Sequence, residues 1–159
     1  MGAAYENLKF YQDICEIRRL VYGMTKRFWK TDIRLVSQMR AAARSAKQNI
    51  REFYKLGTLG QFRRGIVISL GSLEELSGDV EDCLEDRLIS KAEFTRLTDL
   101  IKSADYMAGR YLRSLYEMEQ AGTWKAPLGR TKSKSSQITS RNLLSAHSPI
   151  ASPSAKGYN

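Results

Sequence analysis

The chain has 159 residues, 42% of them hydrophobic, with 26 Lys/Arg against 17 Asp/Glu and a formal net charge of +9. That length and apolar content fit one folded domain and exclude a chain disordered throughout. Two cysteines and a single histidine exclude a disulfide framework and leave little for zinc or imidazole chemistry.

All three prolines, Pro127, Pro149 and Pro153, lie near the C-terminal end. Proline breaks helix interiors, so the preceding chain is free to form long helices. The first predicted helix covers residues 5–30. Phe10, Ile14, Ile17, Val21, Met24 and Phe28 recur at alternating steps of four and three, the seam of an amphipathic helix. Arg18, Arg19, Lys26, Arg27 and Lys30 make its outer side basic. Thr31 or Asp32 is placed to cap the next helix.

The second predicted helix covers residues 32–56. At about 100° per residue its side chains sort into three sectors. Val36, Met39, Ala43, Ala46, Ile50, Phe53 and Tyr54 form an arc to be buried, with Leu35 and Ala42 at its edge. Arg40, Arg44, Lys47, Arg51 and Lys55 fall together on a second arc that contains no acid. Gln38, Ala41, Ser45, Asn49 and Glu52 fill the third. Like charges at i,i+4 repel, so such a ladder is most useful when a polyanion or an acidic partner neutralises it. The same stripe also reads as an ordinary solvated face.

Gly57 is a C-cap candidate, and Thr58 opens a third helix over residues 58–84. Its seam is Leu59, Phe62, Ile66, Ser69, Leu73, Leu76, Val80 and Cys83. The fourth begins with the capping box Ser90-Lys91-Ala92-Glu93 and ends at Gly122. Phe94, Leu97, Ile101, Ala104, Ala108, Tyr111, Leu115 and Met118 form its seam. Nothing reads as a strand. Four such helices with short connections predict an all-α, antiparallel up-down four-helix bundle over residues 1–125. Residues 126–159 hold eight serines, three prolines, five Lys/Arg and no acid, which reads as a disordered basic C-terminal tail with Leu143-Leu144 as a short docking element at most. Cys15 and Cys83 read as small buried hydrophobes. The N-terminus carries no basic leader followed by an apolar block, and no stretch is apolar enough to span a bilayer, so a cytoplasmic location is expected.

The residues offer no catalytic device. His147 falls in the tail, Gly57-Thr58-Leu59-Gly60 lacks the lysine of a phosphate loop, and no zinc or di-iron spacing occurs. The expectation is therefore a protein that is not an enzyme and carries no cofactor and no metal. Glu74, Glu75, Asp79, Glu81, Asp82, Glu85 and Asp86 crowd the third helix. They read as a solvated face, a metal site, or a patch that meets the basic stripe of a neighbouring subunit. Gly71 and Gly78 share a face on which another backbone, internal or from another subunit, can approach closely. Phe28 and Trp29 precede the basic helix, and Phe53 and Tyr54 lie near its end. Aromatics beside cations stack on unpaired bases, although core packing is their commoner role.

Leu8–Gln12, Ser37–Ile50 and Ser69–Leu76 together carry a family resemblance. They resemble the bacterial four-helix-bundle proteins, which include the proteins encoded in ribosomal RNA intervening sequences. The accessory variability determinants of diversity-generating retroelements belong to the same group. Gln38, Arg40, Ser45 and Asn49-Ile50 match the second-helix pattern, and Gly71-Ser72-Leu73-Glu74-Glu75-Leu76 matches the third. The pattern usually continues into Glu-Gly-Tyr, where this chain has Glu52-Phe53-Tyr54. The resemblance implies a homopentamer with a strongly basic surface. In the retroelement branch it implies a non-catalytic partner of a reverse transcriptase and its template RNA. In the ribosomal branch it leaves the function undefined, and the alternative reading there is a structural or protein-interaction oligomer.

The charge and the ladder favour the retroelement type or a nucleic-acid-binding relative. The expected contacts to RNA, or to an RNA/DNA hybrid, are Arg40, Arg44, Lys47, Arg51 and Lys55, helped by Arg63, Arg64 and the tail. A membrane-surface role is the weaker alternative, because the apolar faces are needed within the bundle.

Overall fold

The computed structural model describes residues 2–125, and the predicted tail lies outside the described residues. A short 3-10 turn, Ala4–Asn7, precedes four helices: α1 (Lys9–Thr25), α2 (Ile33–Lys55), α3 (Leu59–Glu85) and α4 (Lys91–Ala121). There is no strand among the described residues. Each helix packs on the next and α4 closes onto α1, and all four contribute to one core. This is the antiparallel up-down four-helix bundle that the seams predict. No helix among the described residues is long and apolar enough to cross a membrane.

Local chemistry sets the boundaries. The Asp32 carboxylate accepts from the Leu35 backbone N–H at 2.9 Å and caps α2. Gly57, at φ 81°, turns the chain out of α2, and Thr58 caps α3 through the Gln61 N–H. Ser90 and Glu93 form the reciprocal capping box of α4. Gly122, at φ 65°, ends that helix.

The first helix is shorter than its seam implies. Leu8 is extended (φ −74°, ψ 129°) and separates the 3-10 turn from α1. Tyr5 is thereby turned into the core, where it meets Tyr11 and Tyr54 edge-on, each at 4.9 Å between ring centroids. At the other end the helix stops at Thr25. Successive turns place Phe28 in the core before Asp32 opens α2.

The seams are buried along all four helices, except that Phe53 and Tyr54 at the end of α2 and Phe94, Tyr111 and Met118 of α4 are only half-buried. Cys83 is buried against Met39, with the sulfurs 3.5 Å apart, and burial pushes its thiol up to about 11. Cys15 is half-buried, and both cysteines are free. One carboxylate lies inside: Asp13 accepts from the Ser103 hydroxyl at 2.8 Å and pairs with Lys9. These partners offset the cost of burying the charge.

The tightest pairing is α2 with α3. Ala42, Ala43 and Ala46 are buried on α2, and Gly65, Ser69 and Ser72 on α3. The Ser69 hydroxyl donates to the Ala46 carbonyl at 2.5 Å, and Ser45 and Ser72 share a hydrogen bond at 2.9 Å. The Asn49 amide donates to the Ser45 carbonyl and hydroxyl. Ser45 and Asn49, which carry part of the family resemblance, thus form a polar seam between the helices. Gly71 and Gly78 are exposed, and a methyl at either would meet no atom within 4 Å. The close internal approach therefore falls at Gly65, and an internal neighbour does not explain Gly71 and Gly78.

Candidate nucleic-acid interface

Helix α2 contacts α1 on one flank and α3 on the other. Burying the Met39–Ile50 arc inward orients the remaining sectors. The Ser45–Asn49 sector turns to α3, and the cationic sector turns to the α1 side and to solvent. Arg40 and Lys47, nearest the core arc, are half-buried, whereas Arg44, Arg51 and Lys55 are exposed. From Arg40 to Lys55 the ladder extends about 22 Å along the axis.

None of these five side chains forms an ion pair among the described residues. Elsewhere a minority of the carboxylates are paired: Asp13 by Lys9, Glu16 by Arg19 and Arg96, Glu93 by Arg27, and Glu119 by Arg63. The Arg19 and Arg96 guanidinium groups hold the Glu16 carboxyl below its ordinary value.

Arg40 is held in place although its charge is not neutralised. Its Nε donates to the Thr25 hydroxyl at 2.9 Å, and that hydroxyl donates to the Val21 carbonyl at 2.7 Å. Its guanidinium carbon lies 5.1 Å from the centroid of the Tyr22 ring. Arg18 reaches the same ring at 4.4 Å. Two guanidiniums from adjacent helices thus gather on one aromatic side chain with no carboxylate between them. Sequence reasoning placed Arg18 only on a generally basic face and left Tyr22 unassigned. Their i,i+4 spacing on α1 was the available signal.

Where the chain passes from α1 into α2, a cleft of about 320 Å³ opens beside this cluster. Tyr22, Trp29, Ile33, Ser37, Arg40 and Arg44 line it with Val36 and Ala41, and no acid does. Trp29 is 47% exposed and Ile33 66% exposed, two of the seven large apolar side chains exposed among the described residues.

Arg63 and Arg64 do not join this surface. Arg63 turns to α4, pairs with Glu119 and lies 5.7 Å from the Tyr116 ring centroid. Arg64 is exposed on α3 and unpaired among the described residues. The aromatics divide in the same way. Phe28 is core, Phe53 and Tyr54 are half-buried in the bundle, and Trp29 stays at the surface. Trp124 stacks on Phe62 at 5.9 Å, and its indole N–H has no partner among the described residues.

The α3 flank of α2 has the opposite character. Glu75 and Asp79 face Gln38, Ala41 and Ser45 across the outer α2–α3 groove. Burial, with Asp82 and Glu75 nearby, pushes the Asp79 carboxyl up from its ordinary value. At the α2 N-terminus, Asp32, Asp82, Glu85 and Asp86 line a second, mainly acidic recess together with Arg34. No group of His, Cys, Asp and Glu among the described residues is placed to hold a metal ion. Cations thus line the α1 side of α2, and carboxylates the groove on its α3 side.

A family model described as "23S rRNA-intervening sequence protein" matches residues 6–109, which include every element of this surface. No curated protein matches the chain.

Proposed function

The chain belongs to the 23S rRNA-intervening sequence protein family, and we propose that it is a non-catalytic RNA-binding protein whose α2 ladder contacts phosphates. The observation that carries this reading is the unneutralised row Arg40, Arg44, Lys47, Arg51 and Lys55, in a protein whose other cationic side chains include several paired with carboxylates. Phosphate contacts of this kind position RNA without reading its sequence. The matched family is the ribosomal-RNA branch of the resemblance. It favours that branch over a retroelement accessory protein that partners a reverse transcriptase.

The test is RNA binding as a function of salt, with Arg44, Lys47 and Arg51 reversed together to Glu. The reversal weakens binding evenly across RNA sequences and flattens the salt dependence. On a single strand the logarithmic slope falls by about 0.7 for each phosphate that the protein no longer neutralises. Unchanged binding in a folded variant rules out α2 as the RNA-contacting face.

A second reading has its own support. The acid-lined α2–α3 groove and the basic α1–α2 face are complementary, so two copies of the chain can pair through them. The homopentamer that the resemblance implies is one such assembly. Light scattering at low and high salt tests it: an assembly held by these faces loosens as salt rises, and one held by apolar contacts does not.

A further inference from the structure

Phosphate binding along α2 leaves the cleft at its N-terminal end unexplained. An indole, a phenol and an exposed isoleucine adjoin two guanidiniums there, in a recess of about 320 Å³ with no acid in its lining. A purely electrostatic phosphate site has no use for exposed apolar surface. A core has no use for unpaired Arg44.

Flat aromatic surface beside cations is how proteins hold unpaired bases, because every base has a π-face and every nucleotide a phosphate. In a duplex the bases are stacked and their faces covered. A free nucleotide engages one or two cations, whereas this ladder continues about 16 Å beyond Arg44 at the edge of the cleft.

We infer that the cleft takes one unpaired base of a single-stranded RNA. The base stacks on Trp29 against Ile33, and the adjoining phosphates lie on Arg40 and Arg44. This inference rests on the RNA-binding reading and narrows it. The α2 face prefers single strands, and Trp29 is the residue that confers the preference. Tyr22 and Arg40 form a fixed wall, with Arg18 also against the Tyr22 ring, and Lys30 lies over the Trp29 ring, 5.4 Å from its centroid.

The chain has only two tryptophans. Full-length protein carrying Trp124→Phe therefore reports on Trp29 alone, and phenylalanine retains the stacking on Phe62. Three probes are titrated: decauridylate, the same backbone with abasic sugars, and a GC-rich RNA duplex. Anisotropy reads binding, and tryptophan emission reads stacking. Decauridylate quenches Trp29, and the abasic chain and duplex bind without quenching it. Trp29→Ala weakens decauridylate binding about tenfold and leaves duplex binding unchanged.

Salt-dependent binding of all three probes with Trp29 emission unaltered overturns the cleft proposal and leaves the α2 reading standing. No salt-dependent binding of any probe overturns both. Trp29 emission that follows protein concentration and ignores every probe assigns the cleft to contact between copies, which also overturns the proposal.

Discussion

Gly65 of α3 lies against Phe53 of α2 with no room for a methyl group between them. A Cβ at position 65 would overlap Phe53 and come within 2.9 Å of the Asn49 carbonyl oxygen. Two helix backbones and a ring would have to separate, and overpacking of this kind costs about 1–3 kcal/mol. Gly65→Ala is therefore expected to lower the denaturation midpoint clearly. Gly71→Ala and Gly78→Ala go the other way. Each replaces a solvent-facing helical glycine with open space around it, and each gains about 0.5–1 kcal/mol in helix propensity. Urea melts of the three variants check the opposite signs.

Arg63 separates general positive charge from the α2 face. It is tied to Glu119 and turned toward α4. Arg63→Ala is expected to leave RNA affinity and its salt dependence unchanged. Removing a partly exposed ion pair costs about 0.2–1 kcal/mol of stability. Parallel binding curves for Arg63→Ala and Arg51→Ala, with only the second shifted, are the check.

Glu93 gives the fold an acid-sensitive joint. The Arg27 guanidinium holds its carboxylate at 2.6 and 2.9 Å, and the Ser90 N–H adds a third bond. Arg27 first, then Ser90, bring its pKa down to about 2 from the ordinary 4.5. The folded value is depressed, so the stabilisation is complete above about pH 5 and disappears as pH falls toward 2. In Glu93→Gln the charge is absent at every pH. The gap in stability between the native protein and this variant is expected to close over that window, measured by urea melts at successive pH values.

Arg87 follows α3 at φ 58°, a backbone region where glycine is at ease and other residues are not. The strain serves the turn: the Leu88 N–H donates to the Cys83 carbonyl at 2.8 Å and closes the helix end. Arg87 is exposed and forms no ion pair among the described residues. Arg87→Gly is expected to raise stability by about 0.5–1 kcal/mol, the relieved strain exceeding the added freedom of the unfolded chain. A thermal melt read by circular dichroism checks it.

The bundle was legible because one rule, apolar side chains every three or four residues, dictates it. Phe10 to Met24, Leu59 to Cys83 and Leu97 to Ala108 all face inward as their spacing requires. The capping residues Thr58 and Ser90 were equally plain, since their chemistry is local, whereas the choice of Asp32 over its neighbour Thr31 needed the structure. The early end of α1 was not legible. The seam runs on through Phe28, and only the packed structure shows that a turn brings that ring to the core. The α2 ladder could be read from its 100° geometry, but its neighbours could not. Arg18, Tyr22 and Thr25 belong to another helix, and sequence spacing within α2 says nothing about which residues of α1 stand opposite. Arg63 shows the reverse failure: it looks like a free cation in the sequence, and its partner Glu119 lies far along the chain.

The two flanks of α2 make the surface around one helix electrically lopsided, with cations toward α1 and carboxylates toward the C-terminal half of α3. On the proposed RNA-binding reading, such a field would turn an approaching strand toward the α1 side of α2 and away from the recess at Asp82 and Glu85. The sign pattern would then orient the encounter as well as speed it, beyond what net charge alone does.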